Sequence, residues 1–290
     1  MKKILYENIY ERIPTSQKII NFKNSEKGAC YIFGDGKSLK YYNFSSFSNL
    51  PSISLGLLSL HKGSKFLNIK YSLNCDSFSL IPGKNIYDYF IRFKSLIRSE
   101  NPSRALSFLS IIKLMRLGTS SYSKLLFTDN NILFNSNFIT HCSNYYFTKF
   151  LNNSFYFNHH MKINENLDNQ INKNLFNPYE SSLNFSIYFA IFLGFTKIYL
   201  VGCDYQDIEP MSEHWWEHGE PKLTNMPSKK YIEFMRNFIE IKIITLNKSF
   251  GNDFISYRNF SGKSLEYKEN NKIICAKKLA LLRRQGIYTI

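Results

Sequence analysis

Acidic residues are scarce in this chain: 22 Asp and Glu stand against 37 Lys and Arg, a formal charge of +15. The imbalance points to an anionic partner, whether nucleic acid, anionic lipid or a phosphorylated substrate. No recognisable nucleic-acid-binding motif accompanies the charge, so a non-catalytic nucleic-acid binder is the weakest of these readings. Cysteine is sparse too. Cys30, Cys75, Cys142, Cys203 and Cys275 are scattered with no close pair, which excludes a disulfide framework and a zinc knuckle and fits a reducing cytoplasm. No stretch approaches ~20 uninterrupted apolar residues, so a spanning helix is not expected. Met1 to Pro14 lacks the apolar segment of a signal peptide. The expected location is cytoplasmic, with any membrane contact peripheral on the inner face. No internal repeat is found.

What is present is enough for a folded core: 290 residues, 44% of them hydrophobic. The 26 Phe and 20 Tyr match the Asn, Lys and Ile abundance of an AT-rich coding sequence and carry little information about binding. The central signal is Ile198-Tyr199-Leu200-Val201-Gly202-Cys203-Asp204-Tyr205. An apolar run ending in Gly and a carboxylate is how a buried parallel strand delivers a polar group to a ligand crevice. Ala29 to Phe33 is a second short apolar strand, and Gly34-Asp35-Gly36-Lys37-Ser38-Leu39 is a glycine turn leading onward. Further strands are expected at Ser52 to Leu60, Phe66 to Leu73 with Asn74 at its end, Phe138 to Cys142 and Ile241 to Leu246. Helical spacing marks Ile86 to Arg98, Arg104 to Leu117, Ser181 to Phe192 and Lys229 to Ile239, with Gly194 terminating the third. Asn152 to Asn177 is rich in Asn and is expected to be mostly loop. Strands alternating with helices argue for an α/β fold with a parallel, helix-flanked sheet.

Three groups of residues are chemically suggestive. The turn at Gly34 and Gly36 would let backbone amides approach an anion where no Cβ intervenes. Tyr31 stands where a Walker loop needs its first glycine and Leu39 where a dinucleotide fingerprint needs its third, so it is neither motif. A plain tight turn is the structural alternative. The segment Glu209 to Pro221 packs His214, His218 and four glutamates into thirteen residues. Histidine suits general-base work, a helical i, i+4 pair would suit a metal, and a solvated loop would need neither. Trp215 occupies the place of the Glu in a His-Glu-x-x-His zinc motif, so no metal site is expected. Asp204 is either a site carboxylate or a turn cap, and Ser181 and Ser182 are either site hydroxyls or helix caps. His61, His141, His159 and His160 are expected to lack catalytic roles. The basic tail from Lys263 to Arg284 either lies on an anionic membrane surface or packs its leucines on the body.

Taken together, the glycine turn, the Ser181-Ser182 helix start, the block Leu193 to Tyr205 and the histidine segment resemble the bacterial sialyltransferases of glycosyltransferase family 42 and the related flagellin-modifying nonulosonate transferases. The resemblance covers scattered blocks between residues 28 and 250. It implies a single Rossmann-like domain, a variant of the GT-A type, with a small lid and a helical insertion. The corresponding division is a basic N-terminal extension at 1–26 and a nucleotide-sugar-binding domain at 27–205 with the insertion at about 85–120. A lid at 206–226, completion of the domain at 227–260 and a basic tail at 261–290 follow. It further implies that Gly34, Asp35, Gly36 and Ser38 line the nucleotide pocket and that Asn74 contacts the donor. Ser181 and Ser182 would lie near its phosphate and sugar, Asp204 and Tyr205 beside the cytidine and the leaving phosphate. His214 or His218 would be the base. The implied reaction is inverting transfer of sialic acid or a related nonulosonic acid from a CMP-activated donor to a glycan hydroxyl. It uses no metal and no cofactor other than the donor substrate. Lipid-linked acceptors, surface-glycan biosynthesis and a homo-oligomer are compatible with it.

The chain departs from the pattern at several places. Asp35 and Lys37 replace the usual Asn and Pro, Tyr179 replaces an arginine before the serine pair, and one of two expected tyrosines has no obvious counterpart. The alternative from another enzyme class is a magnesium-dependent pyrophosphokinase-like phosphotransferase, with the acidic residues Glu209 to Glu220 as ligands.

Overall fold

The computed structural model describes residues 8–75, 135–149, 151–158, 182–203, 214–216, 228–246 and 252–267. The helices expected at 86–98 and 104–117, the lid apart from its three central residues, and the basic tail beyond 267 lie outside them.

Eight strands form one sheet in the order β5-β4-β3-β2-β1-β6-β7-β8, and every pairing is parallel. They are β1 (Ala29–Phe33), β2 (Ser52–Leu55), β3 (Ile69–Asn74), β4 (Asn137–His141), β5 (Ser154–Phe157), β6 (Lys197–Val201), β7 (Glu240–Thr245) and β8 (Phe254–Ser256). The order confirms an α/β parallel sheet. β2 to β5 add successively to one side of β1, and β6 to β8 add to the other. Side chains alternate about β1: Cys30 and Ile32 face one core, Tyr31 and Phe33 the other. Both faces are dry, as a central parallel strand requires.

The helices are α1 (Tyr145–Thr148), α2 (Ser182–Leu193), α3 (Ser228–Met235) and α4 (Tyr257–Ser261). α2 is the core helix. Ten of its residues, Leu183 to Ala190 with Phe192 and Leu193, are buried, so its sequence is apolar around the whole circumference. Phe189, fully buried, meets Tyr71 edge-on with ring centroids 5.4 Å apart and stacks along the helix on Phe185. Phe185 in turn stacks on Phe157 of β5 at 4.3 Å. Truncating Phe189→Ala is expected to cost about 3–5 kcal/mol, because packed neighbours on two sides cannot collapse into the void. Urea denaturation with an unchanged m-value reads that loss directly.

Three expectations are corrected. β2 stops at Leu55 rather than Leu60, and Leu58–Leu60 coil into a 3-10 turn. β3 starts at Ile69 rather than Phe66, which closes a 3-10 turn at Lys62–Phe66. Within the segment read as loop, Ser154–Phe157 is the edge strand β5. Its three aromatic residues gain their strand conformation from pairing with β4, a long-range condition that Asn-rich flanks disguise. Residues 8–26, though basic, dock on the body. Ile13 and Ile19 are buried, and Lys18 bridges Tyr156 in parallel, shielding the open edge of β5. The amides of Asn24 and Glu26 donate to the last carbonyls of α2, Phe192 and Leu193, at 3.0 and 2.8 Å. The arm therefore satisfies acceptors that a helix end leaves open.

Candidate functional site

In a doubly wound sheet the ligand crevice opens at the carboxyl ends of the strands, where successive connections diverge to opposite sides. Here that point lies between β1 and β6. The loop after β1 is the glycine turn, and the residues after β6 are Gly202 and Cys203. The two loops are stitched together. Gly34 N–H donates to Val201 O and Gly36 N–H to Gly202 O, both at 2.8 Å. Gly202 has φ +66°, a conformation that L side chains rarely adopt, and Leu39 packs directly on its Cα. A Cβ at Gly34 would stand 2.5 Å from Gly202 O. The approach is backbone on backbone, so only glycines fit.

The other expected site residues reach the same end of the sheet where they are described. Ser38, in the turn after Gly36, is buried, and Lys37 beside it is 7% exposed. Asn74 ends β3, paired in register with Thr140 of β4. Ser182 opens α2, whose C-terminus leads into the start of β6; its N-terminus therefore faces the carboxyl edge, the end of a helix that attracts an anion. Ser181, Asp204, Tyr205 and His218 lie outside the described residues.

His214 is described, and it sits on the glycine turn. Gly36 and His214 form an antiparallel bridge, and Trp215 N–H donates to Asp35 O at 3.0 Å. His214 is 5% exposed, its ring stacked on Trp216 at 4.4 Å with 19° between planes. Stacking covers a face of the imidazole and leaves its nitrogen-bearing edge uncovered by the indole. Trp215 meets Trp216 edge-on at 5.4 Å and His61 edge-on at 4.8 Å, and His61 meets Phe44 at 4.6 Å. These aromatics continue into the core beneath β1.

Asp35 turns inward. Its Oδ2 accepts from Leu57 N–H at 2.8 Å, just past the end of β2, and any side chain at Gly56 would collide with it. Burial pushes its pKa from the ordinary carboxylate value up to about 6, while the His214 charge, the Leu57 amide and the Trp215 indole pull the other way. Since the folded-state pKa lies above the unfolded one, the native state binds the extra proton. Stability is greatest below about pH 4 on this account and is lost as pH rises through about 6, by on the order of 2–3 kcal/mol. Asp35→Asn is therefore expected to raise Tm relative to the parent at pH 8, with the difference shrinking toward pH 4. Thermal melts at both pH values measure it.

His61 and the Leu57 amide are parts of this site that sequence reasoning missed. A histidine after a strand carries no local mark of its partner, and a backbone amide carries none at all. Among the described residues no group of three or more His, Cys, Asp or Glu is placed to hold a metal ion. No helix among them is long and apolar enough to cross a membrane.

Fold and site together define a doubly wound α/β protein with a glycine turn at its topological switch point and a histidine segment laid across it. No family model matches the chain, and no curated protein matches it. Among solved structures it is similar to the monofunctional alpha-2,3-sialyltransferase Cst-I of Campylobacter jejuni, at 20% identity, covering 84% of this chain and 86% of that one with a TM-score of 0.43. It is also similar to the C. jejuni sialyltransferase CstII solved with the substrate analogue cytidine-5'-monophosphate, at 15% identity, 89% and 98% coverage and a TM-score of 0.43. CstII with trisaccharide acceptor and CMP gives 14%, 88% and 99%, and 0.42. At these identities and scores none of them transfers a ligand or a residue role to this chain.

Proposed function

We propose that this protein is an inverting glycosyltransferase that moves sialic acid or a related nonulosonic acid from a CMP-activated donor to a glycan hydroxyl. The observation that carries the reading is the His214 segment bridged onto the glycine turn at the β1/β6 switch point. A crevice of this kind takes a nucleotide, and the residues around it match the blocks by which the sequence resembles family 42.

In this mechanism the glycine turn and Ser38 line the nucleotide pocket, the Gly34 and Gly36 amides being spent on Val201 and Gly202, while Asn74 orients the donor. Ser181, Ser182 and the N-terminal dipole of α2 stabilise charge on the departing CMP, joined by Tyr205. His214 is the base. Its imidazole takes the proton of the acceptor hydroxyl as that oxygen attacks the anomeric carbon. The bond to the phosphate oxygen breaks, CMP leaves with the electron pair, and the configuration inverts. One phosphate as leaving group is within reach of hydroxyls and amides, so the reaction proceeds without metal. A cytoplasmic location, peripheral to the membrane through the basic tail, and an acceptor of the surface-glycan class complete the proposal.

The test is release of CMP from CMP-sialic acid and other CMP-sugars, with and without EDTA, beside calorimetry of CMP against ATP with magnesium. CMP binding with chelator-insensitive turnover is expected. Failure to turn over any CMP-sugar overturns the reading, and ATP binding in place of CMP moves it to phosphoryl transfer.

A further inference from the structure

Asp35 occupies the middle of the glycine turn, where an outward carboxylate would oppose a nucleotide's negative charge. Its side chain is instead turned inward, between two segments far apart in sequence. On one side, the Leu57 amide donates to its Oδ2 at 2.8 Å, and Gly56 leaves the space that a Cβ would take from it. On the other, its main-chain carbonyl accepts from Trp215 N–H at 3.0 Å, and the antiparallel bridge at Gly36 and His214 places residues 35 and 215 side by side. In an antiparallel pair, neighbours along one strand point to opposite faces. Asp35 and Trp215 thus share the inward face, while His214 stands on the face of Gly36, which has no side chain to obstruct it. Trp215 is wedged between His61 and Trp216, and Trp216 carries the stacked His214 ring.

We propose that Asp35 is a positioning residue for the site: its carboxylate holds the end of β2 while its main-chain carbonyl holds Trp215, and through Trp215 and Trp216 it sets the His214 imidazole over the glycine turn. The role rests on the transferase reading only for its catalytic consequence. Its structural part is independent of what the protein transfers. Burying a carboxylate is costly unless polar partners compensate, and here the His214 charge and the Leu57 amide favour its ionised form. The arrangement couples three chain segments at the crevice, the β1 loop, the β2 loop and the histidine segment.

The chain has two tryptophans, both in this segment, so fluorescence excited at 295 nm reports on it alone. Asp35→Ala is expected to red-shift the emission and open both indoles to acrylamide. It is also expected to lower kcat for sugar transfer by about 10–100-fold, as for a misplaced catalytic group, with donor KM changed far less. Asp35→Asn keeps an oxygen for the same donors and is expected to restore the emission, the quenching and most of kcat. Trp215→Phe removes the indole N–H and keeps a ring; combined with Asp35→Ala its kcat loss should fall well short of the product of the two single effects. Parent-like emission and quenching in Asp35→Ala, or an Asn variant as impaired as the Ala variant, overturns the proposal. Should Asp35→Ala fail to fold, the Asn and Phe variants decide: exposed indoles in Asp35→Asn sink it. If no CMP-sugar is turned over by the parent, the function falls, yet the fluorescence arm still judges the positioning role.

Discussion

His214→Ala is expected to lower kcat for sugar transfer by about 10²–10⁴-fold, the usual worth of a positioned general base. The CMP affinity should stay within a few fold, since the imidazole takes its proton from the acceptor and the Gly36 bridge that holds the segment on the turn is made by the main chain. Lost activity with retained CMP binding is thus the signature, read by steady-state kinetics beside calorimetry. The case for His214 is its location: buried, bridged to Gly36, and within the field of the Asp35 carboxylate. His218→Ala is the paired measurement. If that variant loses transfer and His214→Ala keeps it, the base lies four residues further on. If both keep it, the histidine segment has no part in proton transfer.

Gly34→Ala is the second large effect, and it acts on fold and ligand together. The added methyl would stand 2.5 Å from Gly202 O, an atom of the backbone that no rotamer change can move. Either β1 and β6 part at their carboxyl ends or the turn shifts. The bonds from Gly34 to Val201 and from Gly36 to Gly202 weaken in both cases. A loss of about 2–4 kcal/mol in stability is expected, in the range of overpacking with lost hydrogen bonds, with CMP affinity down more than about tenfold. Gly202→Ala should cost less, about 1–3 kcal/mol: its positive φ strains any L residue, but the collision is with the flexible Leu39 side chain. A Gly34→Ala protein with parental Tm and CMP affinity would show that the two loops are not held by this contact.

The elements that were legible in the sequence are those whose burial is written in a local pattern. β1, β6 and α2 appear within a residue or two of their expected positions, because Cys30 to Phe33 and Ile198 to Val201 are apolar or aromatic throughout and Leu183 to Leu193 is so apart from Asn184 and Ser186. Only a two-sided interior provides for such a run. The glycine turn was visible for the same reason, since two glycines at a strand end mark a close backbone approach. β5 was not visible, because Phe155, Tyr156 and Phe157 lie among asparagines and become a strand only by pairing with β4. The 3-10 turn of Leu58–Leu60 likewise reads as strand from composition alone.

By itself, then, the sequence determined an α/β parallel sheet and a glycine turn after one of its central strands. Local periodicity and backbone sterics require no distant partner to be read. The tertiary structure alone decided that the turn stands at the switch point, that His214 bridges Gly36 across nearly two hundred residues of chain, and that Asp35 points inward to Leu57 rather than outward to a ligand. Those are outcomes of strand order and long-range pairing. A side chain's direction there is set by which neighbour supplies its hydrogen bond, and that neighbour is named only when the chain has folded.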